Sequence, residues 1–306
     1  MRIGIALGGG GAKGIAHIAV LRVLESAGIP IHIITGTSAG AIIGALYAAG
    51  KSPDEIEALT RRLTLPQWLV RDRTGMGLFS TNGIRRILEA EIGEEARIES
   101  LPRRFAAIAV DMETQEQVVI DAGPVARAAC ASAAFPGLFA PVRIDGHSFL
   151  DGGLIDPVPF DAARWLGADR VIAVDLLADE PAFTARATRR HGDWFYRLMC
   201  AAEDQKISRV VTRSIGIMTR QLRESKMEQS PPDALVCPAV ESIGLMDFYS
   251  VDECLAAGEI AARAALPEIH RMVTMPAWRY ESRRWSRRMR RVFAPRARRF
   301  HFWGIE

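Results

Sequence analysis

Thr35-Gly36-Thr37-Ser38-Ala39-Gly40 sits between two apolar runs of different character. Before it comes Ile31-His32-Ile33-Ile34, a β-branched stretch bounded by Pro30 and Gly36. After it comes Ala41-Ile42-Ile43-Gly44-Ala45-Leu46-Tyr47-Ala48-Ala49, built from small and apolar residues. The pattern predicts a strand that stops, turns sharply and starts a helix. Gly36-x-Ser38-x-Gly40 is the spacing of a nucleophile elbow in acyl-transfer chemistry. A serine projecting from so tight a turn crowds the backbone, so the flanking positions must be small. The helix that follows aims free N–H groups and a positive dipole end back at the serine, where an oxyanion would form. The same spacing also arises by chance, so it needs support from other stretches.

Working outward, Ile3-Gly4-Ile5-Ala6-Leu7 reads as a buried first strand and residues 8–14 as a flexible loop. A helix over 15–27 carries an apolar stripe at Ile15, Ile18, Leu21 and Leu24 and is stopped by Gly28 and Pro30. Strand, helix, strand and helix in quick succession predict a parallel sheet with helices on its faces and right-handed crossovers. Later strands are expected at 105–110, 117–120, 170–175 and 234–237. Later helices are expected at 125–133, 160–166, from Trp194 to about Ser225, and at 251–266. Ser52 caps a helix with Pro53 at its first position, and Asn82 caps another. Residues 63–79 hold Trp68, Leu69, Met76, Leu78 and Phe79 and fit either core or an apolar flap over the site.

The loop Gly9-Gly10-Gly11-Ala12-Lys13-Gly14 fits G-x-G-x-x-G. A dinucleotide loop of this kind needs an acid some 20 residues on to grip the ribose. No Asp or Glu occurs between Glu25 and Asp54, and Gly14 is followed by Ile15-Ala16 rather than by the Lys-Ser/Thr of a nucleotide phosphate loop. The other use of consecutive glycines is to turn backbone N–H groups toward one point, as an oxyanion hole does. A serine also needs a base. His147 is the one histidine placed to serve in a triad, four residues before Asp151. Asp151 itself lies at an expected strand end before Gly152-Gly153, where it fits either a catalytic base or an ordinary turn.

Taken together, Gly9 to Gly14, Gly36-Thr37-Ser38-Ala39-Gly40 and Asp151-Gly152-Gly153, in that order, resemble the patatin-like phospholipase family. Ala131-Ser132-Ala133-Ala134-Phe135-Pro136-Gly137-Leu138-Phe139-Ala140-Pro141 is similar to the family's segment ahead of its Asp-Gly motif. The resemblance is clear over about residues 1–180 and weaker over 230–267. It implies a three-layer α/β/α sandwich with a mostly parallel central sheet. It implies Ser38 as nucleophile, Asp151 as base, and the N–H groups of Gly9, Gly10 and Gly11 as the oxyanion hole. Lys13 would brace the loop. The implied activity is hydrolysis of phospholipid, lysophospholipid or related acyl esters, bacterial in type, through an acyl-enzyme. An esterase or thioesterase on soluble substrates, or a lipid-binding adaptor without turnover, are the alternatives.

The 306 residues, 49% of them hydrophobic, are enough for a large core. Cys130, Cys200, Cys237 and Cys254 lie far apart with no C-x-x-C, which predicts free thiols and no metal site. No cofactor is expected. No apolar run has the length of a membrane span. Met1-Arg2-Ile3 enters a strand at once, so no signal peptide is expected and the protein is placed in the cytoplasm. Residues 1–276 read as one catalytic domain and 277–306 as a basic tail. The tail carries ten arginines, Arg279 to Arg299, against Glu281 and Glu306, a balance of +8 in a chain of +3. Trp278, Trp285, Met289, Val292 and Phe293 fall near helical spacing among those arginines. Such a tail suits an anionic membrane surface on the inner face. It also fits a solvated or unstructured end and, on charge alone, nucleic acid, which the lipid-type motifs disfavour.

Overall fold

The computed structural model describes residues 1–177 and 206–276. The basic tail and the first part of the helix expected from Trp194 lie outside the described residues. In chain order the strands are β1 (Ile3–Leu7), β2 (Ile33–Thr37), β3 (Val70–Arg71), β4 (Gly77–Ser80), β5 (Arg104–Asp111) and β6 (Gln117–Ile120). They continue with β7 (Gly137–Phe139), β8 (Val142–Ile144), β9 (His147–Asp151), β10 (Arg170–Val174) and β11 (Ala234–Val236). The helices begin with α1 (Ala16–Ser26), α2 (Ala39–Ala48), α3 (Pro53–Arg62), α4 (Leu65–Trp68) and α5 (Asn82–Ile92). Then follow α6 (Val125–Ser132), α7 (Phe160–Trp165), α8 (Lys206–Gln229) and α9 (Val251–Thr274).

The main sheet runs β11-β10-β1-β2-β5-β9-β8, with β6 also paired to β5. Its five strands from β11 to β5 are mutually parallel. Parallel strands are viable when both faces are covered, which is why β1, β2 and β10 are buried along their whole length and mostly apolar, with Thr35, Thr37 and Arg170 as the polar exceptions. Side chains alternate between the faces. Ile3, Ile5 and Leu7 of β1 join a core with residues of α1, α2 and α9. Ala6, with Ile33, Ala106, Val171 and Ala173, packs against Phe160, Ala163 and Leu166 of α7 and the residue after it. Two cores on opposite faces of one sheet make the three-layer α/β/α sandwich.

β5 sets the site. Ala107 pairs with Gly36 of β2 and with Ile120 of β6, so those two strands lie on opposite edges of β5. Ala109 pairs with Val118 of β6 and with Asp151 of β9, so β9 lies on the same edge as β2. β2 runs parallel to β5 and ends with Thr37 opposite Ile108; β9 runs antiparallel and ends with Asp151 opposite Ala109. The two strands therefore meet end to end along one edge of β5.

Two local expectations change. Residues 63–79 are not one flap: Leu69 and Phe79 are buried while Met76 and Leu78 are exposed. β3, β4 and β7 form a small second sheet there, too short to show a period in sequence. The last helix passes through Pro267 and ends at Thr274, not at Leu266. Proline costs that turn one N–H, but Ile269 and Met272 beyond it are buried and hold the next turns on the core.

Candidate active site

Ser38 follows β2 directly and leads into α2 with φ 54° and ψ −122°. Positive φ at a residue with a side chain is strained. The surroundings hold it there. Its N–H donates to Ser132 Oγ at 2.9 Å, and its carbonyl accepts from Ala41 and Ile42 at 2.9 and 3.2 Å. A Cβ on Gly40 would overlap the Leu7 carbonyl, and one on Gly36 would overlap the Gly40 carbonyl. The flanking residues of the elbow are thus glycines because the turn presses backbone on backbone.

Asp151 ends β9 and is 2% exposed. Its N–H donates to the Ala134 carbonyl at 3.0 Å. Its Oδ1 accepts the Gly153 N–H at 2.7 Å, and its Oδ2 is buried without a hydrogen-bond partner. Burial pushes its carboxyl up from 3.8 to about 6, and the neighbouring Ser38 hydroxyl and the Gly153 N–H pull the other way. The structure thus brings Ser38 and Asp151 together from distant parts of the chain.

The glycine loop leaves β1 and passes against the serine: a Cβ on Gly9 would stand 3.3 Å from Ser38 Cβ. The expectation that Gly9, Gly10 and Gly11 all offer their N–H groups needs a correction. The Gly9 N–H donates to the Pro157 carbonyl at 2.9 Å and is already used. Among the described residues, no carbonyl takes the N–H of Gly10 or Gly11. The loop is pinned on either side of them, by Gly8 N–H to Val174 at 3.0 Å and Ala12 N–H to Leu245 at 2.7 Å. His17, fully buried on α1, holds the Gly8 carbonyl through Nε2 at 2.8 Å. Burial pushes its ring down to about 4 against that bond, so it is neutral and Nε2 carries the proton. Lys13 is buried within the short 3₁₀ turn that closes the loop.

His147 is not beside the serine. It starts β9, four residues and about 13 Å along the strand from Asp151. Its Nδ1 is 2.7 Å from Asp111 Oδ2. Asp111, Glu113 and His147 are the one grouping of metal-type side chains among the described residues, with ligand atoms within 4.8 Å of one another. That grouping lies at the far end of β9, away from Ser38.

Sequence patterns missed three supports of the site. Ser132 accepts from the serine N–H across the fold. Thr35 and Thr37 donate to the carbonyls of Pro159 and Asp156 at 2.9 and 2.8 Å, tying β2 to the loop after Asp151. Asp156 is fully buried, with Lys226 Nζ and Gln117 Nε2 at 2.8 and 3.0 Å from its Oδ2. None of these pairs has a local spacing that a sequence could show.

Fold and site define an α/β/α sandwich with a strained serine at a helix head, facing a buried carboxyl and a glycine loop. The family profile for patatin-like phospholipases matches residues 5–164. The chain belongs to the patatin-like phospholipase family, whose members are lipid acyl hydrolases. An uncharacterized NTE family protein of Mycobacterium tuberculosis is 37% identical over 183 residues, which cover 58% of this chain and 50% of that protein. Patatin-like phospholipase domain-containing protein 7 of Rattus norvegicus is 32% identical over 277 residues, 84% of this chain and 20% of the rat protein. The chain thus spans half or less of the length of these relatives. VipD of Legionella pneumophila has a similar fold, with a TM-score of 0.50 at 14% identity over 87% of this chain and 66% of its own. Among the described residues no helix is long and apolar enough to cross a membrane.

Proposed function

We propose that this chain hydrolyses carboxylic esters of phospholipids or lysophospholipids, with Ser38 as nucleophile and Asp151 as base. The observation that carries this reading is the Asp151 carboxyl: buried, next to Ser38, with one oxygen unpartnered and an affinity for protons raised to about 6. An ordinary carboxylate is too weak a base for a serine hydroxyl; burial moves it toward the working pH while leaving it mostly ionised at pH 7. Asp151 takes the hydroxyl proton as Ser38 Oγ attacks the ester carbonyl. The resulting oxyanion is met by the N–H groups of Gly10 and Gly11 and by the positive end of α2. Collapse breaks the bond to the leaving alcohol, which takes the proton from Asp151. Water then attacks the acyl-enzyme, giving its proton to Asp151, and Ser38 recovers a proton as the fatty acid leaves. Gly9 contributes close approach rather than a donor. The lipid character of the substrate rests on the family.

Fluorophosphonate labelling tests the reading. The wild-type protein should be labelled and Ser38→Ala should not. A folded wild-type protein that takes no label and hydrolyses neither phospholipid nor short soluble esters would instead be a binding adaptor. Turnover of soluble esters alone would move the substrate class to the esterase alternative.

A further inference from the structure

The described part of α8 turns apolar side chains to solvent. Val210, Ile217, Met218 and Leu222 are 64%, 58%, 63% and 40% exposed. At 3.6 residues per turn they share one side of the helix, with exposed Ser214 and Gln221 among them. The other side meets the domain. Arg223 is buried there and donates to the Leu177 carbonyl, Lys226 reaches Asp156, and Met227 packs on the core beneath α7. A single exposed apolar residue is ordinary, but four large ones on one side of a helix, interrupted only by uncharged Ser214 and Gln221, mark a surface that meets something.

Charge says what. From Lys206 to Leu222 the sequence supplies Lys206, Arg209, Arg213 and Arg220 and no Asp or Glu. Arg213 and Arg220 are exposed along one edge of the apolar side, Arg220 with Glu224 at 2.7 Å. A second copy docking by a twofold axis would bring the same cations face to face. A layer of anionic headgroups over acyl chains matches both the charge and the apolar side. We propose that this side of α8 is the surface by which the protein settles on an anionic phospholipid bilayer, a choice of partner that rests on the lipid-ester reading above. α8 packs on the 3₁₀ turn Gly152–Leu154 that follows Asp151, and its Lys226 reaches Asp156 just beyond that turn. A bilayer held by α8 is therefore held in a set orientation to the Ser38–Asp151 site.

The test is co-sedimentation of the full chain, in a Ser38→Ala background so that lipid is not consumed. The vesicles are phosphatidylcholine alone and phosphatidylcholine mixed with phosphatidylglycerol. The starting protein should favour the mixed vesicles. Ile217→Ser with Met218→Ser should weaken that partitioning by about tenfold or more, with the thermal midpoint unchanged. Val210→Ser with Leu222→Ser should act in the same direction, which guards against one pair misfolding. The basic tail is present throughout and cancels. Undiminished partitioning by both folded pairs overturns the proposal, as does equal binding to the two vesicle types. Lost self-association in sedimentation velocity, with vesicle binding intact, overturns it in favour of a second copy. Failure of the lipid-ester reading shows separately, as vesicle binding that persists while protein with Ser38 intact leaves phospholipid unhydrolysed.

Discussion

Asp151→Asn should abolish turnover and at the same time stabilise the protein. In the folded chain Asp151 has its carboxyl raised from 3.8 to about 6, chiefly by burial. At about 1.36 kcal/mol per unit, holding that group ionised costs the fold about 3 kcal/mol at pH 7.5. The sign follows from proton counting. Between the two values the folded state binds the proton and the unfolded state does not. The stabilising contribution of Asp151 is thus full below 3.8 and is lost as pH rises through about 6. Asparagine keeps the acceptor for the Gly153 N–H, carries no charge, and can turn its NH₂ toward the Ser38 hydroxyl. The variant should gain about 3 kcal/mol at pH 7.5, a rise of about 5 °C in unfolding midpoint for a chain of this size, and only about 1 kcal/mol at pH 4.5. Thermal melts of both proteins at the two pH values measure this. A variant less stable than wild type at pH 7.5, or a gain that does not shrink on acidification, would refute the premise that an ionised carboxylate is buried beside Ser38.

Three further outcomes follow from the same geometry. With a soluble ester, kcat/KM should fall about tenfold per pH unit below about pH 6, as the base takes up its proton; a rate that stays level down to pH 5 removes Asp151 from that role. Ser132→Ala removes the acceptor of the half-buried Ser38 N–H, so stability should drop by about 1 kcal/mol and kcat should fall with it, measured by melting and by initial rates. Excess EDTA should leave the initial rate unchanged, because each step of the proposed mechanism uses a carboxylate and backbone N–H groups; a loss that calcium restores would count against the mechanism.

What a sequence can show here is what neighbours along the chain impose. Gly36 and Gly40 are legible because the elbow presses backbone on backbone, Gly36 against the Gly40 carbonyl of its own turn and Gly40 against the Leu7 carbonyl of β1. The parallel sheet is legible because β1, β2 and β10 are covered on both faces and are therefore mostly apolar runs. Asp151 stood out only beside the other motifs, since Asp-Gly-Gly alone is an ordinary turn. What stayed hidden depends on pairs far apart in the chain: Ser132 on Ser38, Lys226 on Asp156, and Pro157 drawing away the Gly9 N–H. The small sheet of β3, β4 and β7 was hidden for another reason, since strands of two to four residues carry too few side chains for a pattern. The exposed side of α8 reads in sequence as an ordinary amphipathic stripe. Spacing identifies the apolar side of a helix but not whether the fold turns it inward.

The end-to-end meeting of β2 and β9 on one edge of β5 makes the gap between Ser38 and Asp151 a property of a single continuous backbone. Both strands are indexed on adjacent residues, Ile108 and Ala109, so their spacing is that of one peptide unit on a third strand. The chain that connects Ser38 to Asp151 can therefore lengthen, shorten or be rebuilt without moving the two groups apart, provided β5 keeps its register. The loops between them are free to diversify, while one fixed ruler preserves the distance on which the proposed chemistry depends.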